Sequence, residues 1–351
     1  MNSESLQFLF IASYVFIFGL CSGSFLNVAI LRGLSGEDMV FSRSKCPKCE
    51  NQLKWYMNIP LLSYLFLRGK CAFCKEPISF QYPLVEFICG VSFLVSFLVF
   101  GLSLKTLFIC IFLALFILLS ATDFKETVII DYHAYILLGF GLLYSFLKLG
   151  EINVIQSVIG AIGGFLFFEI ISRIGKLLIK ARIFGEGDSL IALGLGAIFG
   201  FKNLLILILV SFLIQTIMAV PMMIKAEFQK KKYRLAFTYV IVFLSMIGLA
   251  CVKCFNLIKD DFTYMLFVIG ISLILLFTLK NIIGEIAQKR KMMEEIENQQ
   301  TNEQEDEQDV EFENIEKTFY LMPFGPALIF AGVLCIFYLP QVKECIKNFI
   351  F

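Results

Sequence analysis

Ten stretches of about 20 apolar residues recur along this chain, at 6–30, 82–100, 104–122, 132–149, 153–179, 188–201, 203–224, 235–258, 262–283 and 319–339. A stretch of that length can satisfy all its backbone polar groups as a helix inside hydrocarbon, and little else can. The 351 residues are 58% hydrophobic and 17% charged, against about 45–50% and 25% in soluble domains. Such a chain has more apolar surface than a soluble core can bury. This excludes a disordered protein, a secreted disulfide scaffold and an ordinary cytosolic enzyme, and predicts an all-α polytopic membrane protein. A net charge of +1 gives no reason to expect a nucleic-acid partner. The sixth stretch is short and Gly-rich (Leu193 to Gly200), which predicts tilting or close packing against neighbours. The first stretch lacks a basic leading region and runs on into Gly23, Ser24 and Asn27, so it is read as a span and not as a cleaved signal.

The distribution of basic residues sets an orientation. With the N-terminus outside, the loops and span ends on the inner side hold 23 of the 30 Lys and Arg. Both termini are therefore expected outside. On the inner side lie a loop at 32–81, long enough for a small domain, a basic segment at 225–234, and a loop at 285–318 that starts basic and turns acidic. The basic segment is expected to meet anionic lipid headgroups. The acidic run is read first as a solvated loop or exposed helix. No repeat is evident in the sequence.

Within the first inner loop, Cys46-Pro-Lys-Cys49 and Cys71-Ala-Phe-Cys74 form two CxxC pairs. Each pair can sit on a tight knuckle, and two knuckles close a tetrahedral sulfur site. Four thiolates leave no open position, so a structural zinc ion is expected at Cys46, Cys49, Cys71 and Cys74. A loop with little core of its own would draw folding free energy from that metal. The alternative is a redox dithiol pair. Cys251 and Cys254 make a third CxxC without a partner pair.

Acidic residues at span ends are costly and tend to serve function. Asp123 closes the third span, Asp131 follows eight residues later, and Asp188 opens the sixth span after Gly185-Glu186-Gly187. In this orientation Asp123 and Asp188 share one membrane boundary. Two neighbouring carboxylates share a proton, the arrangement of an aspartyl protease. Glycines beside Asp188 would let a substrate backbone approach. The competing readings are that Asp188 is a helix N-cap and that Asp123 only ends its span. Glu169, inside the fifth span, is a further candidate acid. The single His133 excludes any two-histidine metal mechanism.

Five ordered segments then resemble the prepilin peptidases, the type IV prepilin-like leader peptidases of the GxGD aspartyl protease class. They are GSFLNVAILR (Gly23 to Arg32), the cysteine segment Ser44 to Gly90, the Asp123 segment, GEGD (Gly185 to Asp188) and MPFGPAL (Met322 to Leu328). The resemblance covers roughly residues 10–225 and 319–338. It implies about eight family spans plus two inserted ones. It also implies a bifunctional enzyme of the bacterial inner membrane, with its active site at the cytoplasmic face. Such enzymes cleave the basic leader of prepilins and pseudopilins after a Gly, then N-methylate the new terminus with S-adenosylmethionine. The family's catalytic aspartates fall on Asp123 and Asp188, with Gly185, Gly187 and Asp131 in support. Gly23, Ser24, Asn27, Arg32 and Glu86 become candidates for methylation or substrate positioning.

The chain departs from the family pattern at Leu190, where Lys is usual, at Ile130, where Pro is usual, and at Met57, where Asp is usual. The expected organisation is a first span at 1–31, a tetracysteine domain at 32–81, a peptidase core at 82–226, an insertion at 227–317 and a final span with its tail at 318–351. The insertion carries two extra spans and the acidic loop; beside the reading as a solvated loop, one hypothesis is that it attracts a Lys/Arg-rich leader. Two other readings stay open: a peptidase without methyl transfer, and a non-enzymatic membrane scaffold or transporter. Among substrates, the sequence does not separate pilins from competence or secretion pseudopilins.

Overall fold

A computed structural model of the chain describes residues 3–35, 44–46, 48–126, 129–179, 184–229 and 324–350. The inserted spans expected at 235–258 and 262–283, and the acidic loop after them, lie outside the described residues. Helix α1 runs Ser3–Ser35, followed by a short 3₁₀ turn (Trp55–Asn58) and α2 (Leu62–Phe66) in the cysteine loop. Then come α3 (Gln81–Phe100), α4 (Leu104–Glu126), α5 (Asp131–Phe146), α6 (Val154–Ile179), α7 (Glu186–Gln229) and α8 (Gly325–Ile350). The chain is an all-helical, multi-pass membrane protein. Among the described residues, six helices are long and apolar enough to cross a bilayer: α1, α3, α4, α6, α7 and α8. Helix α5 has 16 residues, about 24 Å at helical rise, shorter than the other six. It runs back along α4 from Asp131 to Tyr144, which meets Phe108 and Phe112 near the start of α4, and so returns the chain to the side from which α4 begins. The two stretches expected at 188–201 and 203–224 run on as α7, broken at Gly200, whose φ of 72° is non-helical.

The chain divides into two units. The first, Met1–Ser211 with Pro323–Val342, holds every candidate residue. Helix α4 is its centre and packs against α1, α3 and α5. Phe112, Leu113, Phe116 and Leu119 are buried along α4, as expected of a helix apolar on all sides. Helix α1 instead exposes Phe10, Tyr14 and Phe18, side chains suited to lipid. The described part of the second unit consists of the ends of α7 and α8.

Small residues bring the helices together, because lipid offers no hydrophobic drive for helix association. A side chain on Gly19 would meet the Gly90 Cα at 2.8 Å, and one on Gly23 the Glu86 Cα at 2.7 Å. Helices α1 and α3 therefore pack backbone to backbone. The same device joins α6 to α7: a Cβ on Gly160 would strike the Gly196 carbonyl, and one on Gly164 the Ala192 carbonyl. The Gly-rich sixth stretch thus owes its composition to close packing. Gly139, by contrast, faces open space. Replacement Gly160→Ala is expected to lower the melting temperature of the detergent-solubilised protein, by the equivalent of about 1–3 kcal/mol. Gly139→Ala should leave it unchanged or raise it, since Ala is the better helix former.

Candidate active site and metal centre

Asp123 occupies the last turn of α4 and Asp188 the first turn of α7. Both are almost fully enclosed, at 4% and 7% exposure. Asp188 is the third residue of its helix, and its Oδ2 accepts the Gly185 N–H at 3.1 Å. It is therefore not the N-cap that its position after a glycine run suggested. It is the carboxylate that reaches back to the capping residue, as in half a capping box. This local duty leaves room for a second one. The Gly325 N–H also donates to Asp188, and the Asp123 carboxylate is close enough to act on it electrostatically. Two aspartates 65 positions apart in sequence are thus brought into one buried site.

Gly325 makes that site possible. A side chain there would collide with the Asp123 carboxylate and would meet Ile191 Cδ1 at 2.9 Å. Its N–H serves one aspartate while its missing side chain makes room for the other. Among the described residues, Asp123 Oδ2 is buried without a hydrogen-bond partner. A buried carboxylate oxygen normally finds one, so this oxygen is available to a ligand. Gly187 plays a comparable steric part, since a Cβ on it would meet Ile129 at 2.5 Å. The missing side chain lets Ile129 pack against the start of α7.

Three phenylalanines fasten these segments. Phe168 on α6, Phe184 before Gly185 and Phe324 before Gly325 meet with ring centroids 4.9, 5.2 and 5.9 Å apart. The Ser172 hydroxyl donates to the Phe184 carbonyl at 2.9 Å. Sequence reasoning did not single out Phe168, Phe184, Phe324 or Gly325 as site residues. The signal for the last two was the MPFGPAL segment, placed by the charge rule at the same boundary as both aspartates. Asp131 is exposed in the first turn of α5. Among the described residues no hydrogen bond or ion pair joins it to Asp123 or Asp188. Its negative charge suits a helix N-terminus. Glu169 pairs with Arg173 one helical turn away at 2.8 Å, which accounts for an acid inside a span.

Among the residues suggested for methylation or positioning, Gly23, Ser24, Asn27 and Glu86 meet along the α1–α3 seam. Asn27 donates to the Tyr82 carbonyl at 3.0 Å. Glu86 accepts the Leu61 N–H at 2.8 Å and the Ser24 hydroxyl. Arg32 is buried near the end of α1. The seam therefore anchors the cysteine loop to the helix pair from which it emerges.

The loop itself is built from two matching knuckles. Cys46 N–H donates to the Asn51 carbonyl at 3.0 Å, and Cys71 N–H to the Glu76 carbonyl at 2.8 Å. Glu50 N–H returns to Cys46 and Lys75 N–H to Cys71. Glu50 and Lys75, each just after a second cysteine, both have positive φ. Isolated bridges Lys45–Gln52 and Lys70–Pro77 close the two turns. This is a structural repeat, where the sequence showed none. The four sulfurs of Cys46, Cys49, Cys71 and Cys74 lie within 4.8 Å of one another, and those of Cys46 and Cys74 are 3.9 Å apart. A tetrahedral centre with metal–sulfur bonds of about 2.3 Å requires about 3.8 Å between sulfurs, so the cluster fits one metal ion. Backbone N–H groups of Cys74 and Phe73 hold the Cys71 thiol down at about 6. At Cys74 the Glu76 N–H pulls the same way, but desolvation and the adjoining sulfurs outweigh it and push that thiol up to about 12. Elemental analysis of the purified chain should find one metal ion per chain at neutral pH. Metal content should fall as the pH is lowered, because protons compete for the thiolates. Cys71→Ser should lose the ion.

Comparison with known proteins agrees with this architecture. The model of the bacterial peptidase A24 N-terminal domain matches residues 17–100, and that of the type IV leader peptidase family matches residues 110–220. The chain is 34% identical to a prepilin leader peptidase/N-methyltransferase of Myxococcus xanthus over 55% of its own length and 58% of the relative's. Against that of Klebsiella pneumoniae it is 33% identical, covering 55% of this chain and 86% of the relative. Against that of Neisseria gonorrhoeae it is 34% identical, covering 59% and 80%. No solved structure matches the chain. With both family segments in order and most of the Klebsiella relative's length covered, the chain belongs to the type IV leader peptidase family.

Proposed function

We propose that the chain is an integral-membrane aspartyl endopeptidase that removes the leader of type IV prepilins or pseudopilins after a Gly. The observation that carries this reading is the meeting of Asp123 and Asp188 from two helices across the Gly325 turn. In the proposed reaction one carboxylate, ionised, takes a proton from water as its oxygen attacks the scissile carbonyl carbon. The other carboxyl donates its proton to the carbonyl oxygen. Collapse of the tetrahedral species breaks the C–N bond: the first carboxyl passes its proton to the leaving amine, and the second takes one back from a hydroxyl of the diol as the carbonyl re-forms. Both groups end as they began. The support of Gly185 and Gly187 is to donate a backbone N–H and to make room for Ile129.

The protein is proposed to lie in the inner membrane with both termini outside and the aspartates at the cytoplasmic face. A pilin helix inserted in the same bilayer would then present its leader junction at the depth of the dyad. Zinc is the proposed metal of the cysteine cluster. With all four positions filled by sulfur its role is structural, folding the loop whose seam with α1 and α3 involves Glu86 and Asn27. The 227–317 insertion is proposed as a separate module outside the peptidase core.

N-methylation of the new terminus, with S-adenosylmethionine as methyl donor, completes the proposal. It rests on the likeness to relatives whose names include N-methyltransferase. The sequence holds no recognisable glycine-rich methyl-donor motif, and no residues are assigned to that cofactor. Glu86, a buried acid apart from the dyad, is already engaged by Leu61 and Ser24. No step is therefore assigned to it. Radiolabelled methyl transfer to cleaved pilin separates the bifunctional enzyme from a peptidase alone.

The test is incubation of the purified chain with a prepilin bearing a Gly–Phe junction, read by mass spectrometry of the mature N-terminus. Asp123→Asn and Asp188→Asn should each lower kcat by roughly 10²–10⁴-fold, with the protein still folded. Gly325→Ala should also lose cleavage, because its methyl group intrudes on Asp123. Normal cleavage by either Asn variant would leave a scaffold or transporter as the better reading.

A further inference from the structure

The cysteine loop carries an apolar surface that neither its metal cluster nor the dyad uses. Trp55 and Phe66 are 80% and 83% exposed, and Leu65 lies exposed beside Phe66 on α2. The turn that holds Trp55 packs on α2. Soluble surfaces rarely leave such large aromatic groups in water. Basic side chains stand next to them in sequence: Arg68, Lys70 and Lys75 are all exposed.

The depth of this surface follows from its anchors. Helix α3 has 20 residues, about 30 Å, so it needs its whole length to span the hydrocarbon. Glu86 lies five residues into α3, about 7–8 Å along its axis, and its carboxylate holds the Leu61 N–H at 2.8 Å. Leu61 is the residue just before α2, and it adopts a positive φ of 59° there, a costly conformation for a branched side chain. Tyr64 of α2 meets Phe80, the residue before α3, edge-on at 6.5 Å. Both contacts fix α2 at the mouth of a spanning helix, not above it. Exposed apolar groups at that depth meet the headgroup–acyl boundary.

We infer that the cysteine loop docks on the bilayer surface. Trp55, Leu65 and Phe66 enter the headgroup–acyl boundary, and Arg68, Lys70 and Lys75 meet anionic lipid phosphates. Aromatic groups favour that boundary, and juxtamembrane basic groups favour anionic leaflets. Charge also decides between occupants. The leader of the proposed substrate is basic and would be repelled by this patch, whereas anionic headgroups are attracted. In the proposed orientation the leaflet is the cytoplasmic one. The docking needs the spans to cross a bilayer; only the exclusion of the leader rests on the proposed function.

Trp55 is the single tryptophan of the chain, so intrinsic fluorescence reports on this surface without labels. The full chain is reconstituted in nanodiscs of phosphatidylcholine alone and of phosphatidylcholine with phosphatidylglycerol. Spin-labelled lipid carrying its label near the headgroup is then added, and separately acrylamide as an aqueous quencher. The expected result is blue-shifted emission, strong quenching by the labelled lipid and weak quenching by acrylamide. Lipid quenching should be stronger with phosphatidylglycerol. That increment should disappear in the Arg68→Gln/Lys70→Gln/Lys75→Gln variant. Emission typical of water, with free acrylamide quenching and no effect of labelled lipid in either disc, would overturn the inference. So would shielding from acrylamide that develops only when prepilin is added, since the surface would then belong to the substrate. Equal lipid quenching in both discs would overturn the role of the basic residues.

Discussion

Two carboxylates inside membrane-spanning helices are costly to bury, and much of this structure answers that cost. Asp188 is held by backbone N–H groups of Gly185 and Gly325, which need no side-chain partner and no counter-charge. Asp123 is accommodated because residue 325 has no side chain to displace it. The phenylalanine cluster of 168, 184 and 324 then fixes the two glycine turns against α6.

The same economy of small residues runs through the scaffold. Gly19 and Gly23 bring α1 against α3, and Gly160 and Gly164 bring α6 against α7. The first contact sets the seam from which the cysteine loop is anchored. The second sets where α7 begins, and therefore where Asp188 stands. Helix packing and the placement of the aspartate pair are thus two results of one pattern of missing side chains. The cysteine loop adds an independent module whose two knuckles converge on four sulfurs. It is tied down by Glu86, an acid whose partners are a backbone N–H and a hydroxyl.

Much of this was legible in the sequence, for identifiable reasons. Span length reports directly on bilayer thickness, so helices α1, α3, α4, α6 and α8 could be anticipated. Paired CxxC motifs fix ligand geometry locally, so Cys46, Cys49, Cys71 and Cys74 could be read as one cluster. The charge rule placed Asp123, Asp188 and the MPFGPAL segment at one boundary. The role of Gly325 was not legible, because it arises from a contact between residues 123 and 325 that no periodicity encodes. That Asp188 is the third residue of its helix, and not the N-cap of the competing reading, was not legible, since the Gly185-Glu186-Gly187 segment blurs where a helix starts. The repeat of the two knuckles was hidden because it lives in backbone hydrogen bonds and positive φ values at Glu50 and Lys75, not in shared side chains. The Glu169–Arg173 pair was available from i,i+4 spacing alone.

The central claim is that Asp123 and Asp188 act as one unit across Gly325. Residues that work as a unit lose activity non-additively. The most direct test is therefore a cycle of prepilin cleavage rates for the wild type, Asp123→Asn, Asp188→Asn and the double variant. If the two aspartates do act as one unit, the double variant is no slower than the slower single variant. Losses that multiply, so that the double variant falls by the product of the two single effects, would show two independent groups and contradict the claim.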